Sequence, residues 1–456
     1  MSELKSNTKK TVRIGARDLS IPDDWDAANL HDLIDISGSG EWGEEVETET
    51  NTKQASVLRS GDITLDGKLS TEDIATRYLS EEDYKQHAIE PLDIVIVSSS
   101  GSERHIGKKW LAPETIERNK YHFTNFLYRI RLDESKCFPK FIYHFLSSDH
   151  ETAFLRSISP TSTGLQNLDT DSYEDLIIPF PPLSEQRRIA DILSTVNEQI
   201  QQIDQIIEKS EELRSGLLQD ILHQGLGTHD IFEHRIGPKE VLLPDAWPVQ
   251  RIDELLSDGA DGKPLRGGPP GGKIHKKDRV EGGYKLYTQE IITKRDTSYG
   301  DEYLSTGSFN ELKAAEPKPG DILITRAGTV GESLVFPKDA ERGIIDSALM
   351  RLRINEAVCD PHFVSLLIDE SYLVEFQVRA MSQSGVVRNL NNGIIKQLQI
   401  PVPPLEEQQR IIEMVSKFSD KIEQEKQYKN SFQELKRGLM QDLLTGKVRV
   451  PVDTGD

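Results

Sequence analysis

Two segments of the chain have nearly the same sequence. The first reads Pro181-Pro182-Leu183-Ser184-Glu185-Gln186-Arg187-Arg188-Ile189, and the second reads Pro403-Pro404-Leu405-Glu406-Glu407-Gln408-Gln409-Arg410-Ile411. The copy lies 222 positions further on, at 403 instead of 181. The offset still holds at the far end, where Gly216-Leu217-Leu218-Gln219-Asp220 corresponds to Gly438-Leu439-Met440-Gln441-Asp442. Solenoid repeats have periods of roughly 20–50 residues, so this repeat indicates a duplicated domain with a duplicated connector.

The offset also relates motifs outside the connectors. The matched pairs are Pro22-Asp23-Asp24-Trp25 with Pro244-Asp245-Ala246-Trp247, and Leu127-Tyr128-Arg129-Ile130-Arg131 with Leu349-Met350-Arg351-Leu352-Arg353. In the middle the register slips, because Pro91-Leu92-Asp93-Ile94 fits best with Pro319-Gly320-Asp321-Ile322, which lies 228 positions further on. Equal ends and an unequal middle indicate one scaffold that carries different loops, as two specificities on one fold would require.

Each connector predicts a long amphipathic helix, from Ser184 to about His223 and from Glu406 to about Thr445. Apolar residues recur mostly three or four positions apart, and Ser184 is expected to be the N-cap of the first helix. A helix of roughly 40 residues is about 60 Å long, so its apolar stripe needs a partner. We therefore predict that the helices pair as an antiparallel intramolecular coiled coil. Packing against separate domains is the weaker alternative.

The residues expected to pack between the helices are Ile189, Val196, Ile203, Leu217, Ile411, Phe418, Phe432 and Leu439. Leu213, Tyr428 and Leu435 continue the same apolar stripes.

The remaining regions mix short strands and short helices, which favours an α/β or α+β fold. Buried strands are expected at 93–97 and 321–325, and helices near 141–146 and 363–368, after a proline. The sequence thus predicts two tandem domains related by a pseudo-twofold duplication. The predicted boundaries are 1–180 and 227–401 for the domains, 181–226 and 402–447 for the helices, and 1–12 and 448–456 for loose tails.

The composition indicates an ordinary globular protein. The chain has 456 residues, of which 36% are hydrophobic and 29% charged, and it is long enough for two to four domains. Its two cysteines, Cys137 and Cys359, occupy equivalent positions, which argues for a reducing compartment and against a disulfide framework. No apolar run of about 18 residues and no secretory signal is present, so we expect a cytoplasmic protein without a membrane span.

The net charge of −21 and the pI near 5.1 do not suggest a nucleic-acid-binding protein. Whole-chain charge does not describe a local face, however. Acidic residues concentrate at 41–49 and basic residues at 263–279. This separation permits a basic groove on an acidic protein.

The sequence contains no recognisable catalytic motif. Residues 38–43 match G-x-G-x-x-G, but an acidic loop follows where a dinucleotide site needs a helix N-terminus. Residues 101–109 have the wrong glycine spacing for a phosphate-binding loop. No helical metal spacing, no N/D-P-P-aromatic segment and no nucleophile with a neighbouring base is found. We expect a chain that is not an enzyme and that binds no metal or cofactor itself.

Four loops have a chemistry suited to DNA. The loops at 325–331 and 98–105 follow equivalent strands, and those at 162–168 and 384–390 form a second equivalent pair. Small hydroxylated residues and glycine allow close approach to phosphates, and arginine can form two hydrogen bonds with guanine. Turns chosen for backbone geometry are the alternative. The candidate DNA-binding residues are Arg59, Ser100, Arg104, Lys108, Gln166, Asn167, Arg266, Lys276, Lys277, Thr325, Arg326, Thr329, Arg388 and Asn389.

These motifs resemble the specificity subunit of type I restriction–modification enzymes. The resemblance covers nearly the whole chain and is carried by both Pro-Pro-Leu-x-Glu-Gln helix openings, both Gly-Leu-x-Gln-Asp helix ends, the Gly-Asp-Ile-Leu-Ile-x-Arg-x-Gly segment and Arg59-Ser60-Gly61-Asp62-Ile63. The first copy departs from the pattern, because Ser98-Ser99-Ser100 stands where the second copy has its arginine.

The resemblance implies two target-recognition domains that read the halves of a bipartite, asymmetric double-stranded DNA sequence through the major groove. It also implies that the helices separate these domains and recruit two adenine methyltransferase subunits, which use S-adenosylmethionine. Such complexes can add two motor and nuclease subunits that need ATP and Mg²⁺. The chain itself is expected to be a non-catalytic reader and scaffold. The alternative is a protein–protein adaptor with two ligand domains, for which Arg326→Ala and Lys276→Ala would leave DNA binding unchanged.

Overall fold

The computed structural model describes residues 9–14, 17–101, 105–118, 120–158, 166–227, 229–258, 263–274, 278–326, 331–381 and 390–451. By internal contacts the chain divides into two units. Unit 1 comprises Met1–Asp204 with Tyr428–Asp456, and unit 2 comprises Gln205–Gln427. Each of the two long helices contributes one part to unit 1 and the other part to unit 2.

Unit 1 begins with a hairpin and continues as a mixture of strands and short helices. Its elements are β1 (Lys9–Ile14), β2 (Arg17–Pro22), β3 (Asp26–Asn29), α1 (Leu30–Leu33), β4 (Ile34–Ser39), β5 (Lys53–Leu58), β6 (Ala75–Leu79), α2 (Glu81–Gln86), β7 (Ile94–Val97), β8 (Ser99–Ser100), β9 (Lys109–Leu111), β10 (His122–Phe123), β11 (Leu127–Leu132), α3 (Pro139–Leu146), α4 (Asp149–Ile158), β12 (Gln166–Asn167), α5 (Thr170–Glu174), β13 (Ile177–Phe180) and the first part of α6 (Leu183–Gln224).

Unit 2 repeats this arrangement. Its elements are the rest of α6, then β14 (Ile231–Ile236), β15 (Lys239–Pro244), β16 (Val249–Arg251), β17 (Leu265–Gly267), β18 (Arg279–Val280), β19 (Tyr284–Tyr287), α7 (Gln289–Lys294), β20 (Tyr303–Leu304), α8 (Thr306–Leu312), β21 (Ile322–Thr325), β22 (Ser333–Val335), β23 (Gly343–Ile345), β24 (Leu349–Leu352), α9 (Pro361–Glu370), α10 (Tyr372–Met381), α11 (Asn392–Gln397), β25 (Gln399–Pro401) and most of α12 (Leu405–Leu443), with short 3-10 turns at Ile252–Glu254, Gly271–Lys273 and Lys313–Ala315.

The central sheets of the two units have the same strand order. In unit 1 the order is β4-β11-β7-β9, and in unit 2 it is β17-β24-β21-β22. A second sheet contains a parallel pair in each unit, β10 with β5 and β23 with β19. The predicted buried strands are β7 and β21, and every residue of both is buried. The mixed α/β fold with an internal duplication is therefore confirmed.

An equivalent buried ion pair joins two strands of each central sheet. Asp93 accepts two hydrogen bonds from Arg131, at 2.7 and 2.8 Å, and Asp321 accepts two from Arg353, at 2.6 and 2.8 Å. Both carboxylates are fully buried, so each needs its bidentate arginine partner. The segment whose register slips, with Asp93 and Asp321, and the segment that keeps the 222-residue offset, with Arg131 and Arg353, thus form the same buried ion pair in each unit.

The two long helices run antiparallel to each other within each unit. In unit 1, Ile189 and Leu193 of α6 share a core with Leu443 of α12, and Asp204 pairs with Lys429 at 2.6 Å. In unit 2, Leu222 of α6 shares a core with Ile411, and Glu211 pairs with Lys426 at 2.9 Å. The predicted helices and their antiparallel pairing are confirmed.

The predicted packing residues of these helices are all at least partly buried, with Ile189, Val196, Ile203 and Ile411 fully buried and Leu217, Phe418, Phe432 and Leu439 half-buried. Other members of the predicted stripes are exposed, namely Leu213 (64%), Tyr428 (60%) and Leu435 (49%). The expected continuous apolar seam is therefore wrong at these positions. In each unit the rest of the fold covers only part of the apolar stripe of each long helix. The spacing of apolar residues in the sequence does not reveal which part is covered.

Three details at the chain and helix ends differ from expectation. Helix α6 begins at Leu183, and the Pro182 carbonyl accepts the first helical bonds, so Ser184 is not the N-cap. Residues 9–12, expected in the N-terminal tail, belong to β1. Arg449, expected in the C-terminal tail, donates to Glu185 at 2.7 Å and to Asp24 at 2.8 Å. Residues 9–12 and Arg449, which were expected in loose tails, are therefore held by tertiary contacts.

Both cysteines are free and buried, as the duplication suggested. Burial raises the pKa of the Cys137 thiol to about 12, and that of Cys359 to about 12 as well. Thiols that remain protonated at neutral pH are poor nucleophiles, which fits a packing role.

A buried glutamine ties the start of each long helix to its unit. The Gln186 side chain accepts from the Phe138 backbone at 2.8 Å and donates to the Pro181 carbonyl at 2.8 Å. Gln408 accepts from the Asp360 backbone at 2.7 Å and donates to the Pro403 carbonyl at 2.7 Å. Both glutamine side chains are buried, so water cannot take over the hydrogen bonds that they make with these backbone groups.

We predict that Gln408→Ala lowers the free energy of unfolding of unit 2 by about 1–3 kcal/mol, because it leaves a buried N–H and a buried carbonyl without partners. Gln409→Ala is the matched control, since Gln409 is exposed one position further along the same helix. Urea denaturation followed by circular dichroism measures both. Equal midpoints for the two variants would show that the glutamine does not support the fold.

Candidate nucleic-acid interface

The ends of both sheets of unit 2 meet at one edge. There the Arg326 N–H donates to the Ala348 carbonyl at 2.7 Å, and the Leu390 N–H donates to the Arg326 carbonyl at 2.9 Å. The Asp346 N–H donates to the Tyr287 carbonyl at 2.9 Å and so continues the pairing of β23 with β19, while the Asp346 carbonyl accepts from the Leu349 N–H at 3.2 Å at the start of β24. We call Arg326, Asp346, Ala348 and Leu390 the strand-end edge of unit 2.

Unit 1 has the same main-chain connections in the equivalent places. The Ser98 N–H donates to the Phe126 carbonyl at 3.0 Å, the Leu168 N–H to the Ser98 carbonyl at 2.7 Å, and the Thr124 N–H to the Leu58 carbonyl at 3.0 Å. Ser98, Thr124, Phe126 and Leu168 therefore form the strand-end edge of unit 1.

One side-chain hydrogen bond is also repeated between the two edges. The Thr124 hydroxyl accepts from the Phe126 N–H at 3.2 Å, and the Asp346 carboxylate accepts from the Ala348 N–H at 2.9 Å. The backbone frame is thus the same, while the side chains on it differ. The pairs are Ser98 with Arg326, Thr124 with Asp346, and Phe126 with Ala348.

The two edges have different chemistry. In unit 1 Phe126 is 50% exposed, which is unusual for a large aromatic side chain next to polar loops. In unit 2 burial raises the pKa of Asp346 to about 6, although the hydrogen bond from the Ala348 backbone N–H lowers it. Asp346 lines a cavity of about 760 Å³ together with Thr288, Lys294 and Glu302.

The predicted loops come together in pairs at these edges. In unit 1, β8 and β12 pair Ser100 with Gln166, and the Ser99 hydroxyl donates to the Asn167 side chain at 2.6 Å. In unit 2, the Arg326 side chain donates to the Leu390 carbonyl at 3.3 Å. The two loops that the sequence placed apart, one after a strand and one before a helix, are therefore neighbours in each unit.

Arg59 and Lys108 of unit 1 are engaged within the fold. Arg59 donates to Asp62 at 3.0 Å, and this hydrogen bond raises the pKa of its guanidinium. The Lys108 ammonium donates to the Ile63 carbonyl at 2.8 Å, and burial lowers its pKa. Both side chains therefore stabilise the turn at 59–63.

In unit 2 the candidate residues differ in exposure. Thr325 is fully buried, and its hydroxyl accepts from the Glu332 N–H at 3.0 Å. Arg266 is half-buried on β17, opposite Arg351. Arg326 is half-buried beside Gly267, where a Cβ atom would lie 2.6 Å from its guanidinium. The remaining candidates, Arg104, Lys276, Lys277, Thr329, Arg388 and Asn389, lie outside the described residues.

Structural roles account for the glycine motif at 38–43. A Cβ atom on Gly40 would lie 1.9 Å from the Phe123 carbonyl oxygen, and Gly43 has a positive φ of 73°. Within the described ranges, no cluster of His, Cys, Asp or Glu could hold a metal ion. No helix among those residues has the length and apolar character to cross a bilayer.

Sequence reasoning missed Thr124, Phe126 and Asp346. A signal was present, because these residues directly precede the matched segments that begin at Leu127 and Leu349. Thr124-Asn125-Phe126 and Asp346-Ser347-Ala348 differ at every position, immediately before segments that correspond. Only the backbone hydrogen bonds show that this difference faces the candidate loops.

Comparison with known proteins places the chain in a family. The profile described as "Type I restriction modification DNA specificity domain" matches residues 22–212 and 271–434. These two matches cover more than half of the chain, and each includes one strand-end edge. The chain therefore belongs to the family of type I restriction–modification specificity subunits.

Individual relatives are similar over most of their length. The type I restriction enzyme MjaVIII specificity subunit of Methanocaldococcus jannaschii is 24% identical over 452 residues, covering 95% of each chain. The EcoKI specificity subunit of Escherichia coli K12 is 24% identical over 381 residues, covering 81% of this chain and 77% of its own. A solved S subunit from M. genitalium has a TM-score of 0.53 at 16% identity, with 93% and 96% of the chains covered, which supports the fold.

We predict that Asp346→Asn stabilises unit 2 at pH 8 and has no effect near pH 3. The folded-state pKa of Asp346 is raised, so its ionised form opposes folding. This cost develops as the pH rises from the ordinary pKa of 3.8 to the folded-state pKa of about 6 and is complete above it. The expected gain is about 1–3 kcal/mol, since a tenfold change in a protonation constant corresponds to about 1.4 kcal/mol. Urea denaturation of the unaltered protein and of Asp346→Asn between pH 3 and pH 8 measures this gain. A difference in unfolding free energy that stays constant over this pH range would contradict a raised pKa of Asp346.

Proposed function

We propose that this chain reads a bipartite double-stranded DNA target, with one strand-end edge for each half. The repeated backbone frame with unlike side chains is the observation that carries the proposal. Equal frames supply one docking mode. The accessible side chains differ, because Phe126 is exposed in unit 1 and Arg326 and Asp346 are partly exposed in unit 2, whereas Ser98 and Thr124 are buried. Base edges are distinguished by hydrogen bonds and apolar contacts in the major groove, and the accessible side chains offer both.

Local chemistry makes this role compatible with an acidic protein. Phosphate contacts orient a protein on DNA, and base contacts specify the sequence. Arg326 is suited to guanine or phosphate, and Phe126 to a thymine methyl group. The net charge of −21 reduces non-specific attraction to DNA, so binding would depend more on such local contacts.

The chain acts, in this proposal, as a non-catalytic part of a larger assembly. Two adenine methyltransferase subunits would supply S-adenosylmethionine chemistry, and added motor and nuclease subunits would use ATP and Mg²⁺. One solved structure with a TM-score of 0.53 at 16% identity, covering 94% of this chain and 99% of its own, concerns complex assembly in a type I R-M system.

Exposed apolar residues on the long helices suit such partners. In unit 2 Leu213 is 64% exposed, and in unit 1 Tyr428 and Leu435 are 60% and 49% exposed. Neighbouring exposed apolar side chains mark an interface with another protein, and Ile206, which is 41% exposed, lies two turns before Leu213 on the same helix face, just as Tyr428 lies two turns before Leu435. One such surface in each unit agrees with two copies of the partner.

Arg326→Ala is expected to lower affinity for the target about tenfold or more, because it removes a cation from the strand-end edge of unit 2. The Arg379→Ala variant is the control, since Arg379 is exposed on α10 and paired with Glu375, so that it carries the same charge change. Fluorescence anisotropy over a series of salt concentrations measures the affinity and its salt slope. Unchanged DNA binding in both variants would favour the adaptor role.

Leu435→Gln and Leu213→Gln are expected to weaken assembly with the methyltransferase at least tenfold while leaving the fold intact, because each removes apolar contact area from a helix surface. Glu434→Gln and Glu212→Gln are the controls, being neighbouring exposed positions on the same helices. Native mass spectrometry counts the bound methyltransferase copies. Two copies on every variant would show that the partner binds elsewhere.

A further inference from the structure

Asp346 is linked to Arg326 through the backbone of Ala348. Its carboxylate accepts from the Ala348 N–H, and the Ala348 carbonyl accepts from the Arg326 N–H at 2.7 Å. Both residues therefore belong to the strand-end edge of unit 2. Because Asp346 is only partly buried, a ligand at this edge can contact the carboxylate.

The fold does not require a carboxylate at this position. Thr124 occupies the equivalent place in unit 1, and its hydroxyl accepts the equivalent backbone hydrogen bond. The ionised Asp346 is disfavoured by burial, and Glu302 nearby adds repulsion that Arg279 only partly offsets. Asp346 thus carries a charge that is unfavourable for folding at a position where unit 1 has a threonine. We therefore expect its carboxylate to serve in binding and not in stability.

The surroundings favour a hydrogen-bond donor as the ligand of Asp346. The cavity of about 760 Å³ that it lines also has Glu290, Asp301 and Glu302 in its wall, against one cation, Lys294. Such a wall repels a phosphate group and attracts an amino group. The size of the cavity leaves room for the edge of a base beside the carboxylate.

Resting on the proposed function, we propose that Asp346 is a specificity-determining residue that accepts a hydrogen bond from the 4-amino group of cytosine in one half of the target. In the major groove cytosine presents this donor, whereas guanine presents two acceptors and thymine one acceptor with a methyl group. Adenine has an amino group, but its N7 acceptor lies beside it and repels a carboxylate. Cytosine is therefore the base that the ionised side chain selects.

Selection from a random DNA library tests this assignment, using the full chain assembled with its methyltransferase subunits. The proteins compared are the unaltered chain, Asp346→Asn, Asp346→Ala and the control Asp339→Asn. Asp339 is exposed and precedes β23, whereas Asp346 follows it, so the control changes the charge equally. Asp346→Asn keeps an acceptor for the Ala348 N–H, and thermal melting verifies that both Asp346 variants fold.

The expected result is that one cytosine position loses its preference by roughly ten- to a hundredfold in Asp346→Ala. In Asp346→Asn the same position is expected to shift towards adenine, which pairs with a carboxamide. The other half of the target and the Asp339→Asn selection should remain unchanged.

Three outcomes would overturn the assignment. An unchanged preference in both Asp346 variants shows that the carboxylate reads no base, although the unaltered chain still selects a target. A uniform loss of affinity for all sequences shows a structural or phosphate-related effect. If the unaltered assembly selects no sequence at all, the proposed function itself fails, and this result is distinct from the other two.

Discussion

The buried glutamine at the start of each long helix is the interaction on which the architecture depends. Gln186 and Gln408 lie one turn into their helices and bond both to the segment before the helix and to the domain behind it. Neither side chain reaches water, so no solvent can replace these bonds. Most of the stability of a helix in a protein comes from tertiary packing, so the contacts that hold its first turn help to set its direction.

The duplication shows which features the two units share and which features differ between them. Strand order, the Asp93–Arg131 and Asp321–Arg353 pairs and the backbone bonds of the strand-end edges are repeated, and these are the parts that are expensive to change in a core. The side chains at the edges can differ, because a threonine in unit 1 and an aspartate in unit 2 accept hydrogen bonds from equivalent backbone N–H groups. A repeated frame can therefore carry unlike surfaces without loss of the fold.

Charge is distributed in a way that suits selective binding. The chain is strongly acidic, and several of its basic side chains, such as Arg59, Arg131 and Arg353, are committed to internal carboxylates. Attraction to DNA would then come from few local groups and not from a broad basic face. A protein of this kind binds little DNA non-specifically and depends on good contacts at the correct sequence.

The sequence alone determined the duplication, the two long helices, the buried strands and the family resemblance, because these depend on spacing and periodicity. It also identified the loops around Ser100, Asn167 and Arg326. Only the tertiary structure decided that Leu213, Tyr428 and Leu435 are exposed, that Arg59 and Lys108 are engaged internally, and that Asp346 stands beside Arg326. These properties depend on which groups meet across distant parts of the chain. The spacing of apolar residues along the sequence indicates helices and strands. The burial and the pKa of a side chain depend on residues that come close to it only when the chain folds.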